Sequence, residues 1–423
     1  MKKKWLAALF LSVILVISGC STGEMREKKG SQKQGEQLTL VTEKMYEGIT
    51  KDIVRYYMSQ HPGKGVKVTY LPTEPQERET KFQKLRTEMM SGKGADLYVL
   101  GNPDEQINAS LRNTQLFTNV SKSMQSGVFA SLNEYMEEDA YWKDGDYQKS
   151  LLGAGQYEGR QYIIPLACEY YVFASPQENN ALQGETLEEW YENALNSDNM
   201  QMRDAVVAAV DDMSSRWQQV SVDYETQKVN FDKQTWSSFM KKVLLQEEQN
   251  VQENPYMLGK MEIDGMLGRT AGTGGYRYQA VPNQFGNKMA SITVYGGIGM
   301  SSEQKEEAYE LLMYFADPEL YAKKQTSYTS IGVGDFPVSE SGVKNYLNAH
   351  YQIYDETVIQ AVLESFRELE SGYFVSQADY SFYDLTGGMR LQAERDASPT
   401  GVDTLVAKIA EQAEEEYTIL VKE

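Results

Sequence analysis

Residues 82–100 read FQKLRTEMMSGKGADLYVL, a helical pattern, a break and a strand in 19 positions. Phe82, Leu85 and Met89 recur at the three- and four-residue spacing that puts side chains on one helix face, within a helix expected over residues 76–90. Ser91-Gly92-Lys93-Gly94 ends that pattern, and residues 95–100 form a short apolar run expected as a strand. Upstream, residues 37–41 (QLTLV) and 66–70 (VKVTY) also read as strands. Between them, residues 49–58 carry Ile49, Ile53, Tyr56 and Tyr57 at helical spacing before His61-Pro62-Gly63. Strand, helix, strand, helix and strand with short links predict an α/β fold, a sheet covered by helices. Gly92 and Gly94 follow a helix rather than a strand, so no phosphate-cradling loop is implied.

The first residues carry different information. Lys2, Lys3 and Lys4 precede an apolar run of 13 residues, 5–17, too short for the roughly 20 residues that span a bilayer. Ser18 and Gly19 then lead to Cys20. Ile17-Ser18-Gly19-Cys20 resembles the lipobox of bacterial lipoproteins. The resemblance implies cleavage after residue 19, a signal peptide over 1–19 and a diacylglyceryl lipid (with palmitate-type chains) on Cys20. Residues 20–36 contain few large apolar groups and read as a flexible tether.

About 400 residues remain, more than one hydrophobic core usually supports, so two domains or lobes are expected. Removal of the three leader lysines takes the formal charge from −20 to about −23, unsuited to binding nucleic acid or an anionic membrane surface. Cys168 is then the only cysteine besides Cys20 and is expected as a buried filler. One remaining thiol and two histidines, His61 and His350, exclude a disulfide framework and weaken zinc-site and Ser-His-Asp readings; no metal or cofactor is expected. The 29 tyrosines supply flat apolar faces with a hydroxyl, which suits polar organic ligands.

Residues 175–288 have another texture. Trp190, Tyr191, Trp217 and Trp236 mark a helical series, GRTAGTGG at 268–275 is glycine-rich, and 276–282 and 290–295 read as strands. Ser301 is the expected N-cap of the next helix, with Gln304 at the capping-box position and Leu311, Leu312 and Phe315 on its apolar face. A last helix is expected over 402–417, from Val402, Leu405, Val406, Ile409 and Ala413, with the acidic run 414–416 solvated.

Four stretches, in order, carry a resemblance: 82–100, GRQYIIPLACEYYVF at 159–173, 289–323 and GVGDFPVSES at 332–341. Together they resemble the extracellular solute-binding proteins of ABC transporters, in the maltose- and oligosaccharide-binding group. The resemblance implies a two-lobed periplasmic-binding-protein-like fold of type II, the larger oligosaccharide-binding type, with an inter-lobe ligand cleft. Lobe one would be 37–167 with 290–330, and lobe two 168–289 with 331–423; the chain would first cross near residues 165–171. The implied function is a monomeric, non-enzymatic receptor, lipid-anchored at the extracellular face of the cell membrane, that delivers a sugar to ABC permease subunits.

Site candidates follow from sugar chemistry: planar aromatics for the ring's C–H face, and carboxylates or amides for its hydroxyls. Asn102 and Asp104 follow the third strand, where the resemblance implies a ligand contact, although Asn-Pro-Asp is also turn chemistry. Glu169 and Tyr170 lie at the implied crossover, Arg269 and Tyr276 flank the glycine-rich loop, and Tyr380, Phe382 and Tyr383 form an aromatic cluster. The alternatives are the same fold with a non-sugar solute (a peptide or polyamine), or a sensory or structural surface lipoprotein. A cationic solute would suit the charge, whereas the absence of clustered arginines disfavours an anion. A glycosidase would need two carboxylates about 5 to 9.5 Å apart across a cleft.

Overall fold

β1 (Leu38–Glu43), α1 (Glu47–Gln60), β2 (Val66–Leu71), α2 (Pro75–Met90) and β3 (Leu97–Gly101) alternate in the computed structural model as the sequence pattern predicts. The structure describes residues 37–422 except 104–111, 113, 178–180, 211–212, 247–253, 272–274, 318–334, 352, 354 and 396–397. Residues 1–36, with Cys20 and the tether, lie outside it, as does Asp104. β1 pairs in parallel with both neighbours, Leu40 standing opposite Val68 on one side and Leu97 on the other. α1 buries Ile49, Ile53, Val54 and Tyr57, and α2 buries Phe82 and Leu85. Pro75 opens α2, where its missing N–H has no partner to lose. Gly92, at φ +71°, closes it in the left-handed conformation that other residues resist.

β4 (Ile163–Glu169) continues the large sheet, and after Tyr170 the chain enters a second sheet as β5 (Tyr171–Pro176). α3 (Leu187–Leu195), α4 (Met200–Val210) and α5 (Lys233–Leu244) follow, then β6 (Met257–Lys260) and β7 (Tyr276–Ala280). The chain returns to the large sheet as β8 (Met289–Ile298), followed by α6 (Lys305–Ala316). β9 (Phe336–Pro337), α7 (Glu356–Arg367), β10 (Ser371–Tyr373), α8 (Gln377–Thr386) and α9 (Pro399–Leu420) complete the main elements. Strand order in the large sheet is β9-β4-β8-β3-β1-β2, with β10 also pairing with β8. β8 runs antiparallel to β3 and β4 and parallel to β10, so this sheet is mixed. The small sheet, β6-β5-β7, is antiparallel. β9 and β10, from the part of the chain expected in lobe two, thus hydrogen-bond into the large sheet.

Period-two alternation divides the core. Tyr171 and Phe173 of β5 join Trp190, Trp236, Phe239, Val406 and Tyr417 on one side of the small sheet. Val172 and Ala174, between them in sequence, join the core that includes the large sheet and takes Ile359, Val362 and Phe366 of α7. Cys168 is fully buried there and its thiol is pushed up by desolvation, as expected of an inert filler.

Two local expectations are corrected. Ser301 does not cap α6: it is exposed, and the helix begins at Lys305. Ser302 turns inward instead, donating to the Asp96 carboxylate at 2.7 Å and accepting from the Gln304 N–H at 3.1 Å. A charged acceptor outcompetes a neutral cap site. Trp217 lies in a turn segment after α4 rather than in a helix. The other expected markers hold their places: Leu311, Leu312 and Phe315 are buried in α6, and Val402, Val406, Ile409 and Ala413 in α9.

Candidate ligand site

The chain passes between the two sheets at Tyr170 and again through residues 281–288. Val281 N–H ties the second crossing to the first, donating to the Tyr171 carbonyl at 2.9 Å, and Met261 N–H, just after β6, donates to that of Tyr170 at 2.8 Å. Between the crossings lies a narrow recess, about 40 Å³ within and about 410 Å³ once the open solvent at its mouth is included. Its walls include Tyr170, Tyr171, Arg216, Trp217, Asn287 and Tyr373. The Arg216 guanidinium lies 4.8 Å from the Tyr171 ring centroid, a cation–π contact. Trp217 stacks on Phe239 at 4.7 Å, and its buried indole N–H has no hydrogen-bond partner. Asn283 is committed to its own turn, its oxygen accepting from the N–H groups of Phe285 and Asn287 at 2.8 and 3.0 Å and its Nδ2 donating to the Gln219 carbonyl. The recess thus combines aromatic side chains with the Arg216 guanidinium, which suits a polar ring with apolar faces.

A second polar cluster adjoins it. Residues 373–380 run from the recess wall at Tyr373 to Tyr380, and with Val375 these two tyrosines form a small core of their own. Asn102, just beyond β3, binds the Val375 backbone at both ends of its amide. Gln115 donates to the Tyr380 hydroxyl at 2.8 Å, and that hydroxyl donates to the Pro103 carbonyl at 2.6 Å. Asp379 is buried yet accepts four hydrogen bonds, from Gln219 at 2.7 Å, Tyr417 at 2.9 Å, and the Ser376 N–H and hydroxyl at 2.7 Å each. It thereby caps α8 and pins the Gln219 segment of the recess.

No protein-family model and no curated protein sequence matches the chain. Solved structures do. An extracellular solute-binding protein family 1 member from Alicyclobacillus acidocaldarius matches with a TM-score of 0.60 at 14% identity, over 92% of this chain and 99% of that one. The sugar-binding protein MalE from Xanthomonas citri matches at 0.55 and 14%, over 89% and 98%. A cyclo/maltodextrin-binding protein complexed with maltotetraose matches at 0.52 and 12%, over 90% and 98%. The fold is periplasmic-binding-protein-like. At these identities it is the α/β architecture that is shared.

Within this fold the expected site residues separate into groups. Glu169 and Tyr170 stand at the first crossing; Glu169 pairs with Lys260 at 3.2 Å, and Tyr170 is 1% exposed with its hydroxyl 3.2 Å from that of Ser365. Asn102, Tyr380 and Tyr383 meet beyond β3, the first two buried in hydrogen bonds and Tyr383 half-buried. Phe382 is fully buried against Phe231 and Trp236, so no solute reaches it in this conformation. Arg269 is exposed on the segment joining β6 and β7, Tyr276 is half-buried as the first residue of β7, and neither lines the recess. Sequence reasoning did not single out Tyr171, Arg216 or Tyr373, and it took Trp217 only as a helix marker. Among the described residues, no group of three or more His, Cys, Asp or Glu side chains is arranged to hold a metal ion, and no helix is long and apolar enough to cross a membrane.

Proposed function

We propose that the chain is an extracellular receptor, anchored through lipidated Cys20, that binds a carbohydrate, an oligosaccharide in this reading, and presents it to an ABC-type permease without covalent chemistry. The observation that carries this reading is the recess at the crossings, walled by Tyr171, Trp217 and Tyr373 beside the Arg216 guanidinium. Aromatic faces match the C–H face of a sugar, and side-chain donors match its hydroxyls. The fold, the leader ending at Cys20 and the polar tether 20–36 support the same role. In this proposal 37–167 with 290–330, and 168–289 with 331–423, are lobes that close on the solute.

The test is a thermal-shift screen of the tethered-domain protein against mono- and oligosaccharides, with amino acids and polyamines as controls. A solute at about 100 times its Kd should add about 2.7 kcal/mol of stability. Saturable stabilisation by saccharides without released products supports the receptor. Stabilisation by an amine alone, or turnover of a bound saccharide, defeats it.

A further inference from the structure

Among the described residues three arginines are buried: Arg78, Arg112 and Arg216. Arg78 shows how this chain satisfies such a group structurally. Its Nη1 and Nη2 donate to the two oxygens of Glu43 at 2.6 and 2.9 Å, and its Nε donates to the Thr114 carbonyl at 2.6 Å. Arg112 is different. It is only 5% exposed, Nη2 meets Asp384 Oδ1 at 2.8 Å, and the buried Nε and Nη1 have no hydrogen-bond partner. The rings of Tyr380 and Tyr383 each lie 5.7 Å from its guanidinium carbon.

A buried cation with unused donors is unfavourable unless something compensates it. Packing does not explain this one, because the bracing at this position runs through the backbone. Gln115 and Gln377 both donate to the Arg112 carbonyl, at 3.0 and 3.2 Å. Asp384 is the solvent-facing member of the pair, with 56% of its side chain exposed. The segment 373–380 walls the recess at one end and flanks Arg112 at the other.

We propose that Arg112 receives an oxyanion of the solute, so that the cargo is an acidic saccharide, carrying a carboxylate or a phosphate, rather than a neutral one. This rests on the carbohydrate reading above. The anion takes the donors that the protein leaves unused, the exposed Asp384 carboxylate swings aside, and the half-buried Tyr383 offers its face to the ring that carries the anion. Sequence gave no clustered arginines, yet one desolvated guanidinium suffices for a single anionic group.

The experiment is calorimetric titration with glucuronate, galacturonate, digalacturonate and glucose 6-phosphate, each beside its neutral counterpart. Wild-type protein should bind at least one acidic probe at least tenfold tighter than its neutral partner, and comparison of uronates with the sugar phosphate separates the two oxyanions. Arg112→Gln should erase that preference. Asp384→Asn, which keeps an oxygen for Arg112 Nη2 but removes the charge that competes with the solute's anion, should tighten acidic probes severalfold and raise their margin over neutral ones; it carries the test should Arg112→Gln not fold. Neutral saccharides binding as tightly as acidic ones, or an Asp384→Asn variant with unaltered affinity, overturns the acidic cargo and leaves the sugar receptor standing. No binding of any saccharide, acidic or neutral, overturns both.

Discussion

The Asn102 amide grips one residue 273 positions away, donating to the Val375 carbonyl at 3.0 Å and accepting from the Val375 N–H at 2.9 Å. The end of β3 is thereby fastened to the segment between the recess and α8. Asn102→Ala strips both partners and leaves two buried backbone groups unpaired, which should cost about 2–4 kcal/mol of stability. Urea unfolding measures it. A loss below about 0.5 kcal/mol would show that water replaces the amide and that the tie is dispensable.

Tyr171 is the recess wall with a second duty, since its ring also belongs to the core around Trp190 and Trp236. Tyr171→Leu keeps most of the apolar volume and removes the flat face and the Arg216 contact. Saccharide affinity should fall about tenfold, equivalent to about 1.4 kcal/mol, within the range of a cation–π or aromatic contact. Titration paired with a denaturation curve separates the two duties. Lower stability with unchanged affinity would make Tyr171 a core residue only.

Burial raises the Tyr98 phenol to about 12 and holds Tyr46, Tyr147 and Tyr417 well above the usual 10.0. Desolvation is the main cause in each case, because the phenolate is the form that burial penalises. A pKa raised in the folded state gives stability that is whole below about pH 10 and is lost as pH climbs toward the folded values. Tyrosinate absorbance should therefore rise in two stages, exposed phenols near pH 10 and buried ones together with the loss of near-ultraviolet circular dichroism. A single smooth titration with the dichroism intact would contradict the burial of these rings.

Sequence made the first five elements legible because each depends on its own periodicity. The large sheet needs only apolar runs, and α1 and α2 need only one apolar face. The change of sheet around Tyr170 falls within the stretch 165–171 where the resemblance implied a crossing and an apolar run changes character. The polar clusters were not legible. Arg112 sits in a stretch without periodicity and gains meaning only from Tyr380, Tyr383 and Asp384, which arrive together on α8. Ser302 rather than Ser301 turns inward because Asp96 lies beside it where the paired strands β3 and β8 end, a partner that local cap chemistry does not reveal. Tyrosine abundance pointed to a ligand surface without locating it, since most of these rings serve as core.

Glu169 and Lys260 supply the test of the first crossing. Glu169 ends β4 in the large sheet, Lys260 ends β6 in the small one, and their charged atoms lie 3.2 Å apart with side chains 19% and 12% exposed. Sequence resemblance implied a ligand contact for Glu169, and its ion pair with Lys260 adds a second candidate role, a brace between sheets. The two roles separate in a double-mutant cycle. Lys260→Met removes a charged partner of a mostly desolvated carboxylate and should cost about 2 kcal/mol, less than a fully buried pair because both groups keep some water. Adding Glu169→Gln removes the carboxylate charge and should recover part of that loss. If Glu169 acts as a brace, saccharide affinity in the Lys260→Met background is the same with Glu169 or Gln at this position. If it touches the sugar, affinity falls when Gln replaces it even there, and the brace is then only part of its work.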